Sequence, residues 1–535
     1  MESMSTDLVA YHARANPKAL AAVEIATARC WSYRQLHDDT NKACAVLAAH
    51  GVQKGDRVAV LAANSVFVVI LQQALMRQGA IIVPLNWRLS ASEIGSLIED
   101  CSPKLLFWDA TLSLAWPDFE PHFPALCQRL PLQDFITKLD QSTLPTSPVQ
   151  QQNACTTTRL PNTTAAIVYT SGTSGRPKGV KITAHNLLAT AINYAVLGEV
   201  EPTSVLLCDV PLFHLMGLAV CVWSTLLRGG TVAMARRFDA SATNERLSAA
   251  PAQGLGGRMV THYFCVPQMA DALRSAPNFR PARWAALRAL FTGGAPNPPA
   301  RIRWWLDRGV RMVNGYGATE AGHFFGMPLA EDVLRQKAGS VGLAGPMTDV
   351  EIVDPETGAP VLPGEPGEIV ASGMSVTAGY WGRADRDGGL EVVEHGAGVR
   401  WYRTGDIGRQ DEDGFVYIVG RRKDIFITGG ESVAPGEVET ALMQHPLVAE
   451  AAVVGVPDPT WGEVGYAWLV LEQGVEERVS KEDLISHCEG LIGRYKIPKH
   501  FRYTESLPRT GSGKIMKHVL KKKLESEGFG REKEH

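Results

Sequence analysis

An α/β chain of several units is predicted by three observations. Strand-like and helix-like patterns alternate over the first ~100 residues and again from Ala165 to about Thr319, the mark of parallel strands joined by crossover helices. Glycine and proline then become frequent over 340–420, where short β-like runs recur. A last stretch from about Arg421 mixes helix and strand patterns in a compact α+β arrangement. At 535 residues, about three or four structural units are expected.

The elements follow in order. Ser32 caps a helix, with Gln35 three residues on completing a capping box. Asp56–Leu61 reads as a strand, Val66–Gln78 as a helix and Ala80–Leu85 as a buried strand. Residues 111–162, rich in Pro, Ser, Thr and Gln, read as irregular connection. Ala165–Val168, Leu206–Val210, Thr231–Met234 and Ala289–Phe291 read as core strands, whose following loops are where open α/β sheets place ligands. Val350–Val353, Gly367–Val370 and Gly414–Val419 suggest a small barrel or distorted sheet. The last unit offers helices at Gly436–Met443, Lys481–Leu491 and Ile515–Lys523, and strands at Ala451–Val456 and Gly465–Leu471.

Bulk composition excludes several classes. The net charge of −3 argues against non-specific nucleic-acid binding, which needs a basic excess. The 9 cysteines are scattered without a CxxC pair, so neither a disulfide framework nor a zinc site is indicated. No basic segment followed by an apolar one opens the sequence, so no secretory leader is expected. The apolar run Val66–Leu75 is interrupted by Gln72 and Gln73 and falls far short of the ~20 residues of a membrane span.

Chemistry concentrates in short segments. Tyr169–Val180 reads YTSGTSGRPKGV: two hydroxyl-rich turns closed by glycines, then Lys178, after a buried strand. Glycines admit close backbone approach, hydroxyls and bare amides donate to anionic oxygens, and lysine adds a mobile charge. This suits a polyphosphate. It is not the Walker pattern, because Gly172 and Gly175 are too close and Pro177 precedes Lys178. Phe291–Pro296 (FTGGAP) offers a small-residue turn against which a flat ring can lie. In NGYGATEAG, Asn314–Gly322, a tyrosine between two glycines is poorly placed for helix or strand packing and well placed to face a base. There Thr319 can donate to phosphate, and Glu320 can bind Mg²⁺, a cation suited to carboxylate oxygens. YRTGD places the Asp406 carboxylate after a turn, where it can accept from ribose hydroxyls, although TGD is also a common turn by itself. GRRKD, Gly420–Asp424, sits where composition changes between two units. PRTGSGK delivers Lys514 on a glycine-rich loop, where its charge can stabilise an anionic transition state.

In this order, YTSGTSGRPKGV, GGAP, NGYGATEAG, YRTGD, GRRKD with GGES, and PRTGSGK resemble the adenylate-forming superfamily from about residue 20 to 520. That superfamily includes acyl-CoA synthetases, peptide adenylation domains and luciferases; the acid–CoA ligase branch fits best. The resemblance implies a large N-terminal domain, residues 1–422, of two α/β subdomains plus a small β-barrel-like one. It implies a mobile α+β domain at 423–535, hinged at Lys423. It implies a carboxylate attacking the α-phosphate of ATP, then a thiol displacing AMP. By the same resemblance Thr170, Ser171, Gly172, Thr173 and Lys178 hold the β- and γ-phosphates, and Gly294, Ala295 and Pro296 cradle adenine with Tyr316. Thr319 meets the α-phosphate, Glu320 the Mg²⁺, Asp406 and Arg421 the ribose, and Lys514 is the adenylation lysine.

Gly429 and Gly430 resemble the lining of a pantetheine tunnel, and Trp461, Tyr495 and Lys499 match positions that touch CoA in some relatives. Ser432 and Ala434 depart from the frequent asparagine and tyrosine there. The acyl pocket is expected from Phe213, His214, Leu215, Met216 and Gly217, with Gly293, Gly315, Gly317, Gly322 and His323. Amino-acid-activating relatives carry an aspartate near 213–214, where Phe213 and His214 stand here. An uncharged apolar acid, aromatic or medium-chain, is expected. Gly315 and Gly322 are expected to leave space for it. A cytoplasmic enzyme using ATP, Mg²⁺ and coenzyme A is implied, and a homodimer is compatible with the sequence. A carrier-protein thiol in place of CoA, an acyl-adenylate-binding regulator without catalysis, and a luciferase-type oxygenase are the competing readings.

Overall fold

Four sheets organise the chain in the computed structural model, which describes residues 7–112, 127–142, 162–170, 177–248, 255, 257–295, 297–383, 389–395, 398–472, 479–510, 514–527 and 529. The first sheet has six strands, in the order Gln128–Pro131, Leu105–Trp108, Arg57–Leu61, Ile81–Pro84, Thr164–Thr170 and Lys178–Thr183. All pairs are parallel except the last, a hairpin. The second has nine strands and is parallel across its middle, from Met312–Ala318 through Ala289–Thr292, His262–Cys265, Val205–Cys208 and Thr231–Met234 to Leu20–Glu24. Helix Val66–Gln78 is mostly apolar and almost wholly buried, Gln72, Gln73 and Arg77 included, and so lies enclosed by the core. Ser65 caps its start, and Gly79, at φ +68°, ends it. Ser32 and Gln35 form the expected capping box on helix Tyr33–Ala49.

Three expectations need correction. Within 111–162 the chain forms a strand, Gln128–Pro131, and a helix, Leu132–Gln141. That helix buries Leu132, Phe135 and Leu139, a 3–4–residue spacing masked by the polar, proline-rich surroundings. The tyrosine between glycines is on a strand after all: Met312–Ala318 pairs antiparallel with Gly322–Gly326, with an irregularity between Tyr316 and Gly317. The glycines permit this pairing, because a Cβ at Gly317 would overlap the Gly322 carbonyl. Asp406 lies inside the long strand Val399–Gln410 rather than after a turn.

The region expected as a small barrel or distorted sheet is a five-stranded antiparallel sheet of Thr348–Val353, Gly367–Gly373, Val399–Gln410, Val392–His395 and Val416–Arg421. The fourth sheet joins Glu431–Val433, Phe426–Thr428, Gly462–Leu471, Val448–Asp458 and His500–Tyr503. Its two hydrophobic clusters draw their buried residues from Phe426 onward. The eight described cysteines are free thiols. No described helix is long and apolar enough to cross a membrane.

Candidate nucleotide and acyl site

Sheet register builds the first corner. Asp406 and Arg421 are directly opposed on neighbouring antiparallel strands, so Arg421 Nε reaches Asp406 Oδ1 at 2.7 Å. The Tyr316 hydroxyl donates to Asp406 Oδ2 at 2.5 Å. Burial, and then the Asp406 charge, push the phenol far above its ordinary range, so it remains a donor. A buried carboxylate with both oxygens engaged still has lone pairs to accept further donors, as ribose hydroxyls would require. Gly293 and Gly294 follow strand Ala289–Thr292; Gly294 sits at φ +81°, and a Cβ at Gly293 would stand 3.0 Å from the Gly315 carbonyl. Ala295 follows, and Pro296 lies outside the described residues.

The second corner collects opposite charges. Thr170 and Lys178 close the hairpin as its last pair, while Ser171, Gly172 and Thr173 lie outside the described residues. Lys178 Nζ stands 4.8 Å from the centre of the Tyr380 ring. The Tyr380 hydroxyl donates to Glu320 Oε1 at 3.0 Å. Thr319 and Glu320 occupy the turn between the two strands of the 312–326 hairpin. Among the described residues no three His, Cys, Asp or Glu side chains cluster for a metal. One hard carboxylate, with phosphate oxygens completing the shell, is a donor set that suits Mg²⁺.

Lys514 comes to these corners from the other end of the chain. Its backbone N–H donates to Thr510 Oγ1 at 3.1 Å, and its carbonyl accepts from Thr510 N–H at 2.8 Å. The side chain is exposed. Its pKa is lowered, by desolvation from the surrounding protein first and by Arg421 second, against the pull of Asp406 and Glu320. Lys514 therefore lies within electrostatic reach of both corners. Residues 511–513 lie outside the described set.

The profile of the AMP-binding enzyme family matches residues 9–381, and that of the AMP-binding enzyme C-terminal domain matches residues 437–514. The chain belongs to the AMP-binding enzyme family. It is 36% identical over 516 residues to a feruloyl-CoA synthase of Amycolatopsis sp, covering 96% of this chain and 97% of that one. It is 33% identical to a long-chain-fatty-acid–CoA ligase of Mycobacterium tuberculosis, covering 95% and 96%. The crystal structure of ATP-bound MatB from Rhodopseudomonas palustris superimposes with a TM-score of 0.84 at 28% identity, over 97% of this chain and 99% of that one. These likenesses put the enzyme in the acyl-CoA synthetase branch of the adenylate-forming superfamily.

Among the residues expected around the acyl group of this AMP-binding enzyme, Phe213 and His214 pack edge to face at 4.6 Å. His214 Nε2 is buried without a hydrogen-bond partner among the described residues. Burial, with Arg88 and Lys514 nearby, holds its pKa down at about 4, so the imidazole is neutral. Leu215 is buried, and Met216 packs against the core. The glycines do not leave the expected space. A Cβ at Gly315 would stand 2.6 Å from the His323 ring, one at Gly322 would overlap Thr190, and one at Gly217 would overlap the Pro211 carbonyl. They serve close packing. His323 fills the volume over Gly315 and meets Tyr194 edge-on at 5.4 Å. Tyr380, Arg88, Thr190 and Tyr194 were not singled out by sequence reasoning. No local motif marks them, and only long-range pairing brings them here.

The C-terminal domain of the AMP-binding enzyme gathers part of the expected CoA set. Gly429, at φ +59°, donates its N–H to the Trp461 carbonyl at 2.8 Å, and a Cβ there would press on the indole. Lys499 Nζ stands 5.4 Å from the Trp461 ring and pairs with Asp458 at 3.0 Å. Gly430, at φ +88°, is open. Tyr495 is placed instead beside Gly493 and Lys496. Lys423 is exposed on the short turn Arg422–Asp424.

Proposed function

We propose that the enzyme activates an uncharged apolar carboxylic acid, aromatic or medium-chain, with ATP and passes the acyl group to coenzyme A. The observation that carries this is the Asp406–Arg421–Tyr316 corner built by strand register, with Lys514 close enough to feel the charges of Arg421, Asp406 and Glu320. In the first step a carboxylate oxygen attacks the α-phosphorus and pyrophosphate leaves. No protein nucleophile is needed, and catalysis rests on positioning and charge neutralisation. Asp406, Arg421 and Tyr316 fix the nucleoside, with Gly294, Ala295 and Pro296 against the base. Thr170, Ser171, Gly172, Thr173 and Lys178 hold the leaving phosphates. Lys514 neutralises the incoming carboxylate and the α-phosphate together, and Thr319 donates to the latter. A magnesium ion on Glu320 would offset charge on the phosphate oxygens. In the second step the CoA sulfur attacks the acyl carbonyl, and AMP departs.

Domain 423–535 turns at Lys423 between the steps, bringing Gly429, Gly430 and Trp461 to the acyl group, with Lys499 and Tyr495 on the CoA path. The acid lies beside Phe213 and neutral His214, which offer no negative charge to an ammonium group. His323, Met216, Leu215 and the tightly packed Gly217, Gly293, Gly315, Gly317 and Gly322 shape its walls. The feruloyl-CoA synthase likeness favours the aromatic option. ATP and CoA as substrates suit the cytoplasm.

ATP–pyrophosphate exchange with a panel of acids, with and without CoA, tests the reading. Lys514→Ala should lose exchange by about 10²–10³-fold while still converting preformed acyl-adenylate to thioester. Equal loss in both steps refutes the role. Acylation of a carrier protein without CoA would replace CoA as the acceptor.

A further inference from the structure

Residues 377–381 form a strap between the two charged elements of the second corner. On one side the strap pairs with the phosphate-loop hairpin: Lys181 N–H donates to the Gly379 carbonyl at 3.0 Å, and Trp381 N–H to the Gly179 carbonyl at 2.7 Å. Val180 and Tyr380 form an antiparallel bridge, and the Thr377 hydroxyl donates to the Lys181 carbonyl. On the other side Thr377 N–H donates to the Glu320 carbonyl at 2.7 Å. Tyr380 is only 9% exposed, so its ring has little freedom to turn.

We propose that Tyr380 is a positioning residue that aims Glu320 and Lys178 at the metal–phosphate group. Its hydroxyl donates to Glu320 Oε1 at 3.0 Å, and its ring face lies 4.8 Å from Lys178 Nζ. A phenol is protonated and donating at neutral pH. The bond fixes the carboxylate's rotation and leaves Oε2 with both lone pairs for a cation. The ring face attracts the ammonium through its quadrupole. One side chain thus holds the two opposite charges at different places, the anion at its tip and the cation over its face. Hydrogen bonds to a ligating carboxylate from outside the ligand shell orient it in this way.

The inference rests on Glu320 holding the magnesium ion, and the test separates the two. Tyr380→Phe keeps the ring, and with it the Lys178 contact, and removes only the hydroxyl. Titration calorimetry of ATP at several Mg²⁺ concentrations should show about tenfold weaker binding of the Mg²⁺ complex. AMP affinity, the melting temperature and thioester formation from preformed adenylate should stay close to the parent values. Tyr380→Leu should weaken Mg²⁺·ATP further, and its loss beyond that of Tyr380→Phe should not add to that of Lys178→Ala, because both remove the ring–ammonium contact. Unchanged Mg²⁺·ATP affinity in Tyr380→Phe, with Glu320→Gln clearly weakened, overturns the role of Tyr380 and leaves the metal assignment standing. Unchanged Mg²⁺ dependence in Glu320→Gln overturns both.

Discussion

Replacing Asp406 with asparagine isolates the ribose corner, because shape is kept and charge is lost. In the parent, Arg421 Nε sits 2.7 Å from one carboxylate oxygen and the Tyr316 hydroxyl 2.5 Å from the other. The Arg421 side chain is 37% exposed, so solvent screening discounts that pair to about 1 kcal/mol. The tyrosine bond to a buried carboxylate contributes about 1.5–3 kcal/mol. Asparagine can keep neutral hydrogen bonds of about 1 kcal/mol with each. The net loss of folding stability is then about 0.5–2 kcal/mol. Two ribose hydroxyls that lose a charged acceptor forfeit about 1 kcal/mol each, so AMP binds about 30-fold more weakly. Calorimetric AMP titration and urea unfolding of Asp406→Asn read both terms. AMP affinity within threefold of the parent, despite a measurable loss of stability, would refute the ribose assignment.

Further outcomes are expected. Lys423→Pro fixes φ and drives Arg422 from helical backbone in the turn 422–424. It should spare pyrophosphate exchange and abolish CoA thioester formation; unimpaired ligation would count against the hinge. Gly317→Ala sets a Cβ on the Gly322 carbonyl and 3.0 Å from His323 Cα, both backbone. It should destabilise the protein by about 1–3 kcal/mol, and an unchanged melting temperature would contradict that packing. His37, His214, His262 and His323 are held down at about 4, all chiefly by burial. The unfolded chain takes up these protons first, so stability should be lost as pH falls from about 6.5 towards 4. Asp209, pushed up to about 7 by burial, acts in the opposite sense, as do Glu24, Asp38 and Asp271, raised chiefly by burial, while His185, His445 and His500, lowered by burial, add to the first four. Urea midpoints that rise on acidification across that window would refute the balance.

What the sequence disclosed depended on range. Helix Val66–Gln78 was legible to the residue, because Ser65 and Gly79 punctuate a mostly apolar run. Tyr316, Asp406 and Lys514 were found through their motifs, and the structure brings them together. Tyr380 was invisible, because its meaning comes from pairing across some 200 positions with Val180 and no local pattern records that. The glycines at 315 and 322 were misjudged for the same reason. A missing side chain reads as room, but whether the room is filled depends on a partner such as His323 or Thr190. The 132–141 helix was hidden by its neighbours' composition, although its own spacing was sound.

The strand Val416–Arg421 ends in a residue bound to the Asp406 carboxylate, and the next residue is bound as well. Arg422 pairs with Glu368 at 3.3 Å and Glu391 at 2.9 Å. Both side chains are bolted to the large domain immediately before the exposed Lys423. A rotation of the C-terminal domain therefore has a bearing fixed on one side, and the torsion must be taken up from Lys423 onward. With a nucleotide on Asp406 and Arg421 as proposed, the proposed rotation that carries Lys514 away would turn about a point fixed beside the ligand itself.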